Sequence, residues 1–451
     1  MKRLLLALLI GIIISGAGLS GEISLTVYNS NLALVHEFRE IDFKKGVFTH
    51  EFTDIPALII PTSVHFRGEG VYVLEQNYEY DLASPEKIVD KFIGEKIRAF
   101  TEQGEMFEGT LQPSGWGGFV LVDDKGKVLI LEKTKLVRTE FSHMPPDFLA
   151  RPTLVWQLEA KNSGKKKAEV SYLTEGMNWN AEYVAVTGGD KLGFTGWVSI
   201  DNRSGETFEN AKLKLMAGEI HRIYERNKMT RIRAGAQMDY ESATAGAAQF
   251  EEKEFFEYHL YTLQRPATLK NNQTKQISLF PEAMVDFERR YYFDSFENNP
   301  KVKVYLVFRN SESKGLGIPL PAGKIRIYQT DEDGSQEFIG EDTINHTPRD
   351  EEVKVMVGKA FDIVGEKVKT DTRQISRNIR EEDWEIKLRN RKKEAVEIKV
   401  REYHSDYWEI LSTTHKYEKI DANRIEFTIK TPPHKEGEEL KIKYTVRYTY
   451  K

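Results

Sequence analysis

The chain has 451 residues, a net charge of −5 and no cysteine, which excludes disulfides, thiolate metal sites, cysteine nucleophiles and lipid attachment to an N-terminal cysteine. Acidic and basic residues are balanced at 30% of the chain, so no electrostatic footprint points to nucleic acid as a partner. The same charge mixture suits a protein that works hot, or an ordinary solvated surface, and the length suggests roughly two to four domains.

The first residues, MKRLLLALLIGIIISGAGLSGE, put two cations before an apolar run from Leu4 to Ile14 and small residues from Ser15 to Gly21. This is the layout of a secretory signal peptide over residues 1–20, with Gly18 and Ser20 ahead of a cut near Gly21. An uncleaved anchor is the competing reading, but Gly11, Ser15 and Gly16 interrupt the run. No later segment has the apolar length to span a bilayer. The expectation is an exported protein, periplasmic, extracellular or at the cell surface, with no membrane span after cleavage.

Residues 21–83 read as short β-strands, with a turn or bulge at Asn29 and Asn31 in ISLTVYNSNLALVHEF. Residues 84–142 differ. Ser84 as N-cap, Pro85 at the first helical position and Glu86 in the first turn predict a short helix, with Ile88, Phe92 and Ile93 spaced for one face. Four or five short strands follow, including a hairpin at DDKG, the layout of a small SH3- or Sm-like barrel or of an open meander. The prolines of HMPPDFLARP mark a linker, and residues 143–369 read as a central β-sandwich. Near residues 226–250 the strand pattern gives way to Ala, Gly, Ser and Thr, which predicts a mobile insertion. Residues 370–451 alternate cleanly. Trp384, Ile386 and Leu388 fall on one face, as do Leu440, Ile442, Tyr444, Val446 and Tyr448, which predicts a C-terminal immunoglobulin-like sandwich. The fold class is thus all-β, mainly antiparallel and multi-domain.

The segments YNSNLALV, YLTEGMNWNAEY, GWVSIDNRSGETFENAKLKLMAG and PLPAGKIRIYQTDEDGSQEFIGEDTINHTP, followed by WEIKLRN, resemble the exported bacterial and archaeal proteins described as mucoidy-inhibitor-like. That family is a domain of unknown function, so the resemblance implies a β-rich fold without assigned catalytic residues and a link with extracellular polysaccharide. Longer members carry a coiled-coil N-terminal region, and no heptad run occurs in this sequence.

Catalytic and metal signatures are sparse. The ten histidines are scattered and form no compact ligand spacing, so neither metal nor cofactor is expected. The densest group, HSDY at His404 to Tyr407 with His415 nearby, reads as surface chemistry. Ser163 and Lys166 have S-x-x-K spacing but fall in a turn between strands rather than at a helix start. Asp331, Asp333 and Glu337 lack the span and helices of a calcium loop, and Asp333-Gly334 reads as a hairpin turn.

Aromatic residues carry the remaining signal. In GMNWNAEYVAV the set Met177, Trp179, Ala181, Tyr183 and Ala185 shares one strand face, opposite Asn178, Asn180 and Glu182, so Trp179 is expected in a core. In LGFTGWVSID the set Phe194, Gly196, Val198 and Ile200 takes the core side and leaves Trp197 with Thr195 and Ser199 on the polar side. Trp197, Thr195, Ser199 and Trp116, which sits in a glycine-rich turn, are the candidate binding residues. The expected function is non-enzymatic binding or assembly in the cell envelope, with an envelope protein or extracellular polysaccharide as partner. The alternative is an envelope hydrolase or glycan-active, carbohydrate-binding protein whose site is assembled from distant residues.

Overall fold

The computed structural model describes residues 22–79, 85–114, 118–143, 151–222, 249–297, 301–405, 407–435 and 439–450. The expected signal peptide, Ser84, Trp116, most of the expected linker and nearly all of the insertion expected near 226–250 lie outside them. The described chain is predominantly β-strand in several mainly antiparallel sheets, with one short α-helix, Pro85–Lys91, among the described residues. It divides into two compact units.

The first unit comprises residues 1–178, 201–215 and 265–274. Its main sheet aligns Ile23–Tyr28, Ala33–Phe43, Gly164–Thr174 and His65–Arg67, with Phe208–Ala217 on the other side of the first strand. The turn between the first two strands is closed by Tyr28 N donating to Leu32 O, with Asn31 at φ +53°, a conformation asparagine tolerates better than most residues. A two-stranded sheet, Val71–Glu79 with Thr153–Ala160, brings in Trp156. Its fully buried ring packs against Phe52 and Phe66, and its Nε1 donates to Gln76 Oε1 at 2.8 Å.

Residues 85–141 form the predicted helix and five strands, in sheet order Leu136–Phe141, Lys96–Thr101, Met106–Gln112, Gly118–Val122, Val128–Glu132. The edge strands do not pair, so this is the open meander rather than a closed barrel. Phe92 and Ile88 pack on its apolar face with Ile97, Leu111 and Leu121. Ile93 departs from the expected helical face. The helix ends at Lys91, the chain turns, and Ile93 is exposed. The DDKG turn is a hairpin, with Gly126 at φ +79° donating to Asp123 O.

The second unit comprises residues 179–200, 216–264 and 275–451. Its sheet runs Gln336–Ile344, Gly323–Thr330, Met177–Thr187, Lys191–Asn202, Gln273–Asp294, Lys301–Arg309, Glu352–Ser376, Ile379–Asn390, Leu440–Thr449, Tyr407–Thr413. One contact on this path is parallel, Met177–Thr187 with Gly323–Thr330. The close approach there requires glycine, because a Cβ on Gly323 would lie 2.2 Å from Ala181 O. The QTDEDGSQE segment is a hairpin turn, with Gly334 at φ +88° and its N–H bonded to Asp331 O.

Two long strands fold this sheet over. Gln273–Asp294 pairs with Lys301–Arg309 and, at Tyr291 to Asp294, with Val396–Tyr403. Glu352–Ser376 pairs first with Lys301–Arg309 and then with Ile379–Asn390. The result is a sandwich whose core includes Ile363, Ile386, Leu388, Ile398, Val400, Phe427, Ile442 and Val446. The alternation read from WEIKLRN and LKIKYTVRYTY is the one that fills it.

Candidate functional site

The strand Met177–Thr187 buries every second residue from Met177 to Ala185. Trp179 is 1% exposed and its Nε1 donates to Met216 O at 3.1 Å. Tyr183 is enclosed, its hydroxyl donating to Pro321 O at 2.7 Å and its ring stacked on Phe194 with centroids 5.4 Å apart. Burial holds the Tyr183 hydroxyl well above the usual phenol range. With their polar atoms satisfied inside protein, both rings are core residues.

One strand on, Lys191–Asn202 turns Phe194, Val198 and Ile200 inward. Thr195, Trp197 and Ser199 share the opposite side and are half-buried. Glu182, directed to that same side from the neighbouring strand, accepts from Arg326 at 2.7 Å. The fold therefore assembles a face with one partly exposed indole, two hydroxyl side chains and an ion pair. The fourth candidate, Trp116, lies outside the described residues.

A second constellation occupies one end of the C-terminal sandwich. The strand Val396–Tyr403 directs Val396, Ile398 and Val400 inward, and the same alternation carries Glu402 and then His404 into the interior. Facing them, the alternation of Trp384, Ile386 and Leu388 extends back to Glu382 and Arg380. Glu402 is fully buried and accepts from Lys367 Nζ at 2.5 Å, Tyr444 OH at 2.9 Å and the Ser295 hydroxyl. Glu382, 3% exposed, accepts from Lys369 Nζ at 2.7 Å and Trp384 Nε1 at 3.1 Å and pairs with Arg380. Lys367 and Lys369 both lie over the Trp384 ring, at 4.1 and 4.9 Å from its centroid.

His404 corrects the reading of HSDY as surface chemistry, since its side chain is enclosed and the residue is 1% exposed. Its Nδ1 is 2.9 Å from Tyr448 OH, and Trp408 covers the ring at 4.9 Å. Nε2 has no hydrogen-bond partner among the described residues. Burial, with Lys367 adding to it, holds the imidazole pKa down at about 4, so the ring is neutral at pH 7. Burial and the nearby Glu382 and Glu402 carboxylates keep the Tyr448 hydroxyl protonated. The Tyr448 hydroxyl can donate to Nδ1 or accept from it, and in either tautomer Nε2 is left as a buried polar atom without a partner among the described residues.

The remaining sequence candidates are not brought together. Ser163 Oγ accepts from Lys45 N at 2.8 Å, while Lys166 Nζ reaches Glu69 O, so no nucleophile–base contact forms. His36 bonds Glu169 and His259 bonds Glu252, in separate units. Among the described residues no group of three or more His, Asp or Glu side chains is arranged to hold a metal ion, and no helix is long and apolar enough to cross a membrane.

No curated protein is similar to the chain. Residues 168–449 match the family model of a domain of unknown function, DUF4139. That span takes in the Trp197 face and the whole C-terminal sandwich, more than half of the sequence, and the chain accordingly belongs to the DUF4139 family.

Proposed function

We propose that the protein is exported to the cell envelope and acts there by binding or assembly rather than by turnover, as a relative of the mucoidy-inhibitor-like proteins. The observation that supports this reading is the state of the two buried carboxylates. Glu382 and Glu402 each accept from cations and from neutral donors, so neither is presented as a general base or nucleophile. Two tests apply. Deleting residues 2–20 should retain the protein in the cytoplasm, whereas unchanged fractionation sinks the export reading. A hydrolase panel should show no turnover, and robust turnover abolished by one substitution sinks the binding reading.

The polysaccharide-binding form of this reading rests on the Trp197 face, where an indole and two hydroxyl residues share one side of a sheet. Flat, partly exposed rings beside hydrogen-bonding groups suit sugars. Trp197→Ala should weaken retention on extracellular polysaccharide while leaving the thermal transition in place. A variant that unfolds, or one that binds unchanged, removes this face from consideration.

A further inference from the structure

The five-stranded meander ends in two strands of different character. Leu136–Phe141 carries features that keep an edge from pairing with other chains. Its ladder with Lys96–Thr101 slips between Leu136 and Arg138, and the exposed Arg138 and Glu140 pair with each other at 3.3 Å. The opposite edge, Val128–Glu132, has neither device. It pairs with Gly118–Val122 in an unbroken register and with no other described strand. Its sequence, VLILE, sets four aliphatic residues in a row. Leu129 and Leu131 pack on the meander core, while Val128 and Ile130 on the other side are 57% and 65% exposed.

Other edges of the described sheets are protected. The ladders of Val71–Glu79, Gln336–Ile344 and Tyr407–Thr413 are each interrupted by a bulge or irregularity. Phe250–Phe255 places four charged residues between its two phenylalanines, and His65–Arg67 is three residues long. Val128–Glu132 is the bare edge.

The strand is also complementary to itself. Lys127 stands before it and Glu132 ends it, and Lys127 bonds only through its backbone, to Asp123. An antiparallel copy therefore brings cation towards carboxylate at both ends and aliphatic against aliphatic between them. When the core faces of both copies lie on one side, Val128 falls opposite the partner's Ile130 and Leu129 opposite its own equivalent.

We propose that Val128–Glu132 is a self-association edge, through which two copies of the chain pair antiparallel about a two-fold axis at Leu129. The two meanders then run on as one continuous sheet. So short a ladder makes a small interface, and the dimer is weak and reversible.

The test is sedimentation velocity on the full chain between about 1 and 100 µM, where a weak dimer of this class should appear as a concentration-dependent equilibrium. Ile130→Lys should lower the association constant at least about tenfold without moving the thermal transition, since a lysine on an exposed edge position blocks pairing but not folding. Val137→Lys, on the protected edge, should leave association unchanged. The absence of cysteine lets oxidation report the register. A mixture of Val128→Cys and Ile130→Cys chains should cross-link, and neither chain should do so alone, because only residues directly opposite bring their Cβ atoms within about 4.5–5.5 Å. A chain that stays monomeric throughout overturns the proposal. So does association that survives Ile130→Lys or is lost equally with Val137→Lys, and so does cross-linking of either single variant as fast as the mixture.

Discussion

Lys367 and Glu402 hold opposite sides of the C-terminal sandwich together through a charge that has no exposure on its acidic side. Lys367→Met keeps an apolar stem of nearly the same length over Trp384, with a thioether sulfur in place of Cδ, and removes the ammonium group. Glu402 is then left with Ser295 and Tyr444 as donors, a buried carboxylate without a counter-charge. Breaking a buried pair in this way costs about 3–5 kcal/mol. For a unit of this size about 2–4 °C is lost per kcal/mol, so the calorimetric transition of the second unit should fall by roughly 6–20 °C. Lys367→Met combined with Glu402→Leu should recover most of that loss, because a well-packed apolar pair often replaces a buried ion pair at little net cost. The reasoning is refuted if the single variant loses less than about 1 kcal/mol, the range of solvent-screened pairs, or if the double variant is no more stable than the single one.

His404 predicts an acid-side loss of stability. Its folded-state pKa of about 4 lies below the unfolded value near 6.5, so the unfolded chain takes the proton first. Its contribution is complete above pH 6.5 and is lost as pH falls towards 4, by about 3 kcal/mol in all. Denaturant midpoints of His404→Gln should show a flatter pH profile over that window, and a profile parallel to wild type would count against the assignment. Trp179→Ala should cost about 3–5 kcal/mol by opening a cavity, whereas Trp197→Ala should leave the thermal transition nearly in place; equal losses in thermal melts would mean that both rings are core. Phe256, at the tip of the hairpin joining Phe250–Phe255 to Tyr258–Leu263, is 87% exposed and sits at φ +59°. Phe256→Asn should raise stability by up to about 1 kcal/mol, since asparagine visits that region more readily, and a lowered melting temperature would show that the ring contributes packing.

Residue alternation carried most of the correct sequence reading. It placed Trp179 and Tyr183 inside, Trp197 on the face opposite Phe194, Val198 and Ile200, and Ile442 to Tyr448 in the sandwich core, because a half-buried strand writes its own faces into every second position. Turn chemistry was equally local, as Asp333-Gly334 and the DDKG hairpin show. What stayed hidden depends on partners distant in sequence. Nothing near Met177–Thr187 announces that it pairs with Gly323–Thr330. Nor does anything near Glu402 announce Lys367. The polar end of the sandwich did leave a trace. Extending Val396, Ile398, Val400 by two steps gives Glu402 and His404, and extending Leu388, Ile386, Trp384 backwards gives Glu382 and Arg380. Those steps looked like strand ends because charged residues are almost never fully buried unless paired, and the pairing lies on other strands.

The parallel contact between Met177–Thr187 and Gly323–Thr330 also orders events in time. A chain emerging from its N-terminus presents Met177–Thr187 long before the residues that complete its edge exist. Local hairpins such as Gln273–Asp294 with Lys301–Arg309 close quickly, but this contact must await a large loop. Until then the edge is a template for pairing with other chains. Fragments ending before Gly323 should therefore precipitate where the whole chain folds, and the second unit should assemble only after synthesis has passed that glycine.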